Sequence, residues 1–148
     1  MDAEPGFVDT NVLVYASRTR AASYPRAIAW LRQARDDGRA LWVSRQVLRE
    51  YLAVVTRPQA DLPILPMSAA RADVEGFLRD FNVAEDGPQV TAVLLQLLAR
   101  YPASGRQIHD ANIVATMLAH GLSRLLTFNV ADFRRFAGSI ALDPLPPD

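Results

Sequence analysis

Asp9 directly follows the apolar pair Phe7-Val8, with Thr10 and Asn11 next in line. If this apolar run is a strand, a carboxylate, a hydroxyl and an amide gather at its carboxyl end, where open α/β sheets bind ligands. The other reading is a helix-capping or turn aspartate. Asp110 has Ile113, Val114 and Met117 at i+3, i+4 and i+7, which puts it on the apolar side of its helix. His109, Asn112, Thr116 and His120 form a separate polar stripe. A carboxylate facing the interior must be paired, neutralised or coordinated, because an unpaired buried charge is expensive. Alternatively, Asp110 complements the positive end of the helix dipole. Glu50 borders the apolar stripe Val47, Leu48, Tyr51, Leu52, Val54 and Val55, with Gln46 one turn before it. There a surface salt bridge is the ordinary role. Asp132 stands just beyond Leu125-Leu-Thr-Phe-Asn-Val, past another strand end, where it could equally cap a short helix around Phe133.

Taken together, these are acids near strand ends or helix starts, accompanied by Thr10, Asn11, Thr127 and Asn129. Neighbouring carboxylates raise one another's pKa, so a cluster of them stays ionised only around a cation. Hard oxygen ligands point to Mg²⁺ or Mn²⁺ rather than zinc. His109 and His120 are eleven residues apart, too far for a local ligand pair, and read as surface or partner-facing. Asp36, Asp37, Glu75, Asp80 and Glu85 read as solvated surface.

The rest of the composition narrows the chemistry further. Cysteine is absent, which excludes disulfides, thiolate zinc sites and cysteine nucleophiles. Lysine is absent as well, so all 16 basic residues are arginine, and P-loop and Schiff-base chemistry are excluded. Sixteen acids balance them to a formal net charge of zero. A polyanion must therefore be met by local arginine clusters rather than an overall field. Arg18, Arg20, Arg45, Arg49 and Arg106 lie in segments near the proposed pocket. The N-terminal stretch Met1-Asp-Ala-Glu-Pro lacks the basic and apolar regions of a signal peptide. The apolar stretch Val90–Ala99 is about half a membrane span. These features predict a soluble cytoplasmic protein.

The elements that must position the acids alternate between strand and helix. Strands are predicted at Gly6–Asp9, Ala40–Val43, Asn82–Glu85, Arg124–Phe128 and Ser139–Leu142. Helices are predicted at Tyr24–Asp37, Arg45–Thr56 after an N-capping Ser44, and Ser68–Phe81 capped by Ser68. Three more are predicted: Pro88–Tyr101 with Asp86 and Gln89 as a capping box, Ile108–His120 stopped by Gly121, and Ala131–Phe136. Asn11–Ser17 fits either state. The 148 residues, half of them apolar, make one domain, residues 1–148, with its core at about 7–142 and a loose tail at 143–148. Short apolar strands between helices favour an α/β fold with a mainly parallel sheet.

Val8-Asp9-Thr10-Asn11, Glu50 with Ser44 ahead of it, His109-Asp110-Ala111, and Thr127-Phe-Asn129-Val-Ala-Asp132-Phe133 appear in this order. The series resembles the motifs of PIN domains, above all the VapC-type ribonuclease toxins of type II toxin–antitoxin pairs, over about Phe7–Leu142. The resemblance implies a three-layer sandwich with a mainly parallel central sheet flanked by helices. It implies that Asp9, Glu50, Asp110 and Asp132 are the catalytic, metal-binding acids, with Thr10, Asn11, Ser44, Thr127 and Asn129 in support. Many family members carry an acid where Asn129 stands, so this site has one carboxylate fewer for a second metal ion. The resemblance also implies a cognate antitoxin, a homodimer and an RNA substrate. Tyr24–Leu31 and Leu48–Val55 are candidate groove segments for the antitoxin, although plain core is their ordinary role.

The expected reaction is Mg²⁺- or Mn²⁺-dependent endoribonucleolytic hydrolysis, with Asp9 or Asp110 orienting or deprotonating the attacking water. The competing reading is a non-cleaving PIN-fold module that binds RNA or protein. Receiver domains and haloacid-dehalogenase-type phosphatases share an α/β fold with clustered acids, but both need a lysine that this chain lacks.

Overall fold

In a computed structural model, residues 3–148 are described. Met1 and Asp2, where the expected 1–148 domain begins, lie outside them. The strands are β1 (Gly6–Val8), β2 (Leu41–Ser44), β3 (Asn82–Ala84), β4 (Arg124–Leu126) and β5 (Ala141–Leu142). The helices are α1 (Thr10–Ser17), α2 (Tyr24–Asp36), α3 (Arg45–Val55), α4 (Met67–Asp80), α5 (Pro88–Arg100), α6 (Gln107–Ala119) and α7 (Val130–Phe133). A 3₁₀ turn at Arg134–Phe136 extends α7.

The strands form one sheet in the order β3-β2-β1-β4-β5, and all its pairs are parallel. Right-handed crossovers then place α1–α4 on one face and α5–α7 on the other. The packing agrees: α1 lies against α2 and α3, α3 against α4, α5 against α6, and α6 against α7. This is the expected α/β three-layer sandwich.

β1 is the middle strand, and Gly6, Phe7 and Val8 are all buried, as a strand covered on both faces requires. A Cβ on Gly6 would come within 2.7 Å of Leu126 Cδ1 and 2.8 Å of Arg39 Nη2, so any larger residue there would have to displace the ends of both side chains. Around β1 pack Val12, Leu13, Tyr51, Ile113, Met117, Leu125, Phe133 and Phe136, all essentially inaccessible to solvent. Each large apolar side chain so buried contributes about 1.5–3 kcal/mol. Gly121, at φ +70°, ends α6 as predicted.

Several local expectations need correction. The ambiguous 11–17 segment is helical, and its α1 starts at Thr10. Ser68 does not cap α4: Pro66 precedes the helix and Ser68 lies inside its first turn. Asp86 and Gln89 form no capping box, because Gly87 occupies the cap position, and the Asp86 carboxylate instead accepts from Asn112 Nδ2 at 3.4 Å. β4 stops at Leu126, two residues early, because the Phe128 amide donates to the Asn11 side chain at 3.0 Å.

The expected loose tail is tied down at specific points. Asp143 accepts from Trp30 Nε1 at 2.6 Å and from Arg39 and Arg124, both at 3.2 Å. The Pro146 carbonyl accepts from Arg26. The two candidate groove segments are mainly core, with Ala27, Trp30, Leu31, Leu48, Tyr51 and Val55 buried. Among the described residues, no helix is long and apolar enough to cross a membrane.

Candidate active site

The sheet order reverses direction between β1 and β4. The chain leaves β1 towards β2 and leaves β4 towards β5. Adjacent parallel strands whose connections diverge leave a crevice at their carboxyl ends. Asp9 ends β1 there and Thr127 ends β4.

Asp9 is 4% exposed. Its Oδ1 accepts from the Thr10 amide at 2.8 Å, and its Oδ2 accepts from Thr127 Oγ1 at 2.7 Å and Asn11 Nδ2 at 3.2 Å. Asp9 is therefore also the N-cap of α1, so the capping and site readings coexist. Thr127 Oγ1 further accepts from the Asn129 amide at 3.0 Å, shaping the turn that carries Asn129 into the crevice. These bonds stabilise ionised Asp9, but they do not balance its burial. Desolvation, with Glu50 and Asp110 adding like charge, raises its pKa from 3.8 to about 6.

Glu50 extends from α3 towards the same point. Its Oε2 accepts from Thr10 Oγ1 at 2.8 Å and its Oε1 from Gln46 Nε2 at 2.9 Å. The border position read from the sequence therefore faces the cleft rather than bulk solvent. Asp110, in the first turn of α6, is half-buried. Its pKa is also raised to about 6, by desolvation first and then by Asp132 and Glu50, against smaller opposing effects of Arg135 and His109.

Asp9, Glu50 and Asp110 line one open cleft of about 580 Å³, together with Thr10, Asn11 and Asn129. Asp132 is exposed at its margin, near enough for its charge to act on Asp110. It does not cap α7; the N-cap position there belongs to Asn129. Ser44 is buried away from the cleft lining and accepts from the Val47 amide at 3.3 Å. It thus supports the site only by starting the helix that carries Glu50.

The arginines divide differently from the sequence expectation. Arg106 lines the cleft. Arg45 is paired with Glu85, Arg18 is buried and donates to the Pro63 carbonyl, and Arg20 and Arg49 are exposed elsewhere. Arg57, which is not among the arginines the sequence pointed to, lines the cleft as well. Its position after the last turn of α3, before Pro58, carries no periodic signal. Gln46, one turn before Glu50, is buried and bonded to it, a role that its i, i+4 spacing could have suggested.

The donor set fits a hard divalent cation. None of the four acids has an ion-pair partner among the described residues. Nor do three acidic or histidine side chains already form a ready metal cage among those residues. Mg²⁺ does not require one, because it keeps several waters and takes only one or two protein carboxylates.

The PIN domain family model matches residues 6–139, and the chain belongs to the PIN domain family. It is 28% identical over 144 residues to ribonuclease VapC24 of Mycobacterium tuberculosis, covering 95% of this chain and 97% of that protein. Its fold matches the crystal structure of M. tuberculosis VapC20, described as a sarcin–ricin loop cleaving toxin. The TM-score is 0.67 at 19% identity, over 94% of this chain and 99% of that one. It also matches a toxin–antitoxin complex from Klebsiella pneumoniae, with a TM-score of 0.66 at 19% identity, over 97% and 99% of the two chains.

Proposed function

We propose that this chain, acting as one PIN domain, is a divalent-metal-dependent endoribonuclease and the toxin of a VapBC-type toxin–antitoxin pair. One observation carries the reading: Asp9, Glu50 and Asp110 face a single cleft, and none of them has an ion-pair partner among the described residues. The near full-length similarity to a named ribonuclease supports it.

One or two of Asp9, Glu50 and Asp110 would hold Mg²⁺ or Mn²⁺ directly and the rest through its waters, with Asp132 contributing charge from the margin. Such an ion supplies activation of water and screening of charge on the phosphodiester. Asp9 has donors on both oxygens, so its role is to anchor. The Asp110 side chain makes no hydrogen bond among the described residues, which leaves it free to take a proton from the attacking water. Thr10, Asn11, Thr127 and Asn129 keep the pocket's shape. Arg57, just after α3, and Arg106, just before α6, supply the positive charge that draws in the RNA backbone. The VapBC-type assignment brings an antitoxin partner and a homodimer with it.

The test is cleavage of RNA by the purified, antitoxin-free protein with Mg²⁺ or Mn²⁺ and with EDTA. Cleavage abolished by EDTA and restored by excess Mg²⁺ is the expected result. Undiminished cleavage in EDTA would overturn the metal assignment. RNA binding without cleavage at any metal concentration would instead favour a non-cleaving module.

A further inference from the structure

Gln46 lies on α3 but reaches the opposite layer of the sandwich. It is 7% exposed, and three of its four hydrogen-bonding positions are filled. Its Nε2 donates to the His109 carbonyl and to Glu50 Oε1, each at 2.9 Å, and its Oε1 accepts from Asn112 Nδ2 at 2.8 Å. The His109 carbonyl can only accept, and that fixes which end of the amide faces it. The same end therefore faces Glu50. Thr10 Oγ1 occupies the other Glu50 oxygen, so each oxygen holds one donor and keeps lone-pair capacity for a ligand. His109 immediately precedes Asp110. One amide thus ties the helix carrying Glu50 to the backbone beside Asp110.

We propose that Gln46 is a positioning residue: by bonding Glu50 and the His109 carbonyl at once, it sets the separation and orientation of Glu50 and Asp110. Asn112 locks the amide in the sense this needs. The inference rests on the metal-dependent reading above and adds the device that holds two acids from opposite layers in register.

Three variants test it: Gln46→Leu, Gln46→Glu and Asn112→Asp. Mg²⁺ affinity is measured by calorimetry on the intact protein, alongside kcat and KM for RNA. Gln46→Leu removes the donor at similar size and should weaken Mg²⁺ binding about tenfold. Its kcat should fall about 10–100-fold, the usual scale for groups that orient metal ligands, with KM changed less than about twofold. Gln46→Glu has nearly the same shape but sets an acceptor against both Glu50 and the His109 carbonyl, so its losses should be larger than those of Gln46→Leu. Asn112→Asp gives Gln46 an acceptor where it needs a donor and turns the amide round. Although Asn112 does not line the cleft, this variant should behave like Gln46→Glu, and it remains a test if a Gln46 variant does not fold. Gln46→Glu performing as well as the wild type would overturn the proposal. So would variants that lower thermal stability while leaving Mg²⁺ affinity and kcat unchanged. A wild type that neither binds Mg²⁺ nor cleaves RNA would show that the metal-dependent reading itself is at fault, and the inference would fall with it.

Discussion

The two ends of the sheet treat negative charge in opposite ways. Around the amino ends of β1, β2 and β4, two acids are met by arginine. Glu4 is paired with Arg124 at 3.0 Å, and Asp143 with Arg39 and Arg124 at 3.2 Å each. At the carboxyl ends, Asp9, Glu50 and Asp110 gather with no ion-pair partner among the described residues. Asp143 at one end and Asp9 at the other are largely removed from water, which is unfavourable in either place. At the amino end the chain supplies its own countercharge and gains a fixed structure. At the carboxyl end the proposed site leaves that charge to come from solution, as a divalent cation.

The largest expected effect breaks the amino end. Asp143→Ala leaves Arg39, Arg124 and Trp30 Nε1 short of a partner and should cost about 3–5 kcal/mol of stability. A urea titration should show the loss, while RNA cleavage per folded molecule stays near wild type. If activity fell as steeply as stability, the two ends would not be independent.

Asp9→Asn should do the reverse. Cleavage is expected to fall by roughly 10²–10³-fold, the scale of losing one preorganised electrostatic group. The metal-free protein should melt no lower than wild type, because a buried like charge has been removed. Retained cleavage would sink the site assignment.

The pH dependence gives the two ends opposite slopes. Asp9 and Asp110 have folded pKa values raised to about 6, so between about pH 4 and 6 the folded state binds more protons than the unfolded one. Metal-free stability should therefore fall as pH rises through that window, with about 3 kcal/mol attributable to Asp9. Glu4 has its pKa lowered, by its Ser123 bond first and then by Arg124. Its contribution is present above its ordinary pKa and is lost as pH falls. Urea midpoints across this range, in EDTA and in Mg²⁺, separate the effects: Mg²⁺ should flatten only the slope from the carboxyl end.

The smallest effects belong to the cleft arginines. Arg57→Ala and Arg106→Ala should each weaken RNA binding roughly uniformly across sequences and reduce the slope of log affinity against log salt by about one. Changes at Arg45 or Arg49 should not alter that slope. An unchanged slope for both cleft variants would remove these arginines from the RNA path.

Much of this was legible locally. The uninterrupted burial of β1, the acid at its end and the Ser44 cap follow from a few adjacent residues. So did the apolar stripe of α3, whose border carries Glu50. The Ser68 and Asp86–Gln89 caps were misread because Pro66 and Gly87 set the backbone at those helix starts, and side-chain pattern alone does not show which residue wins. The contacts of Asp143 were not legible, because it finds Trp30 113 residues and Arg39 104 residues away.

From its residue types alone, the chain was committed to oxygen ligands and arginine, because it contains neither cysteine nor lysine. Its periodicity committed it to an α/β fold with a mainly parallel sheet and acids at strand and helix ends. Only the tertiary structure decided which acids meet, that Arg57 rather than Arg45 faces the cleft, and that Gln46 bridges two layers. The physical reason is range. Periodicity and capping act within a turn or two, whereas the Thr10–Glu50, Asp9–Thr127 and Gln46–His109 bonds join residues 40, 118 and 63 positions apart, and those pairings exist only once the crossovers have stacked the sheet.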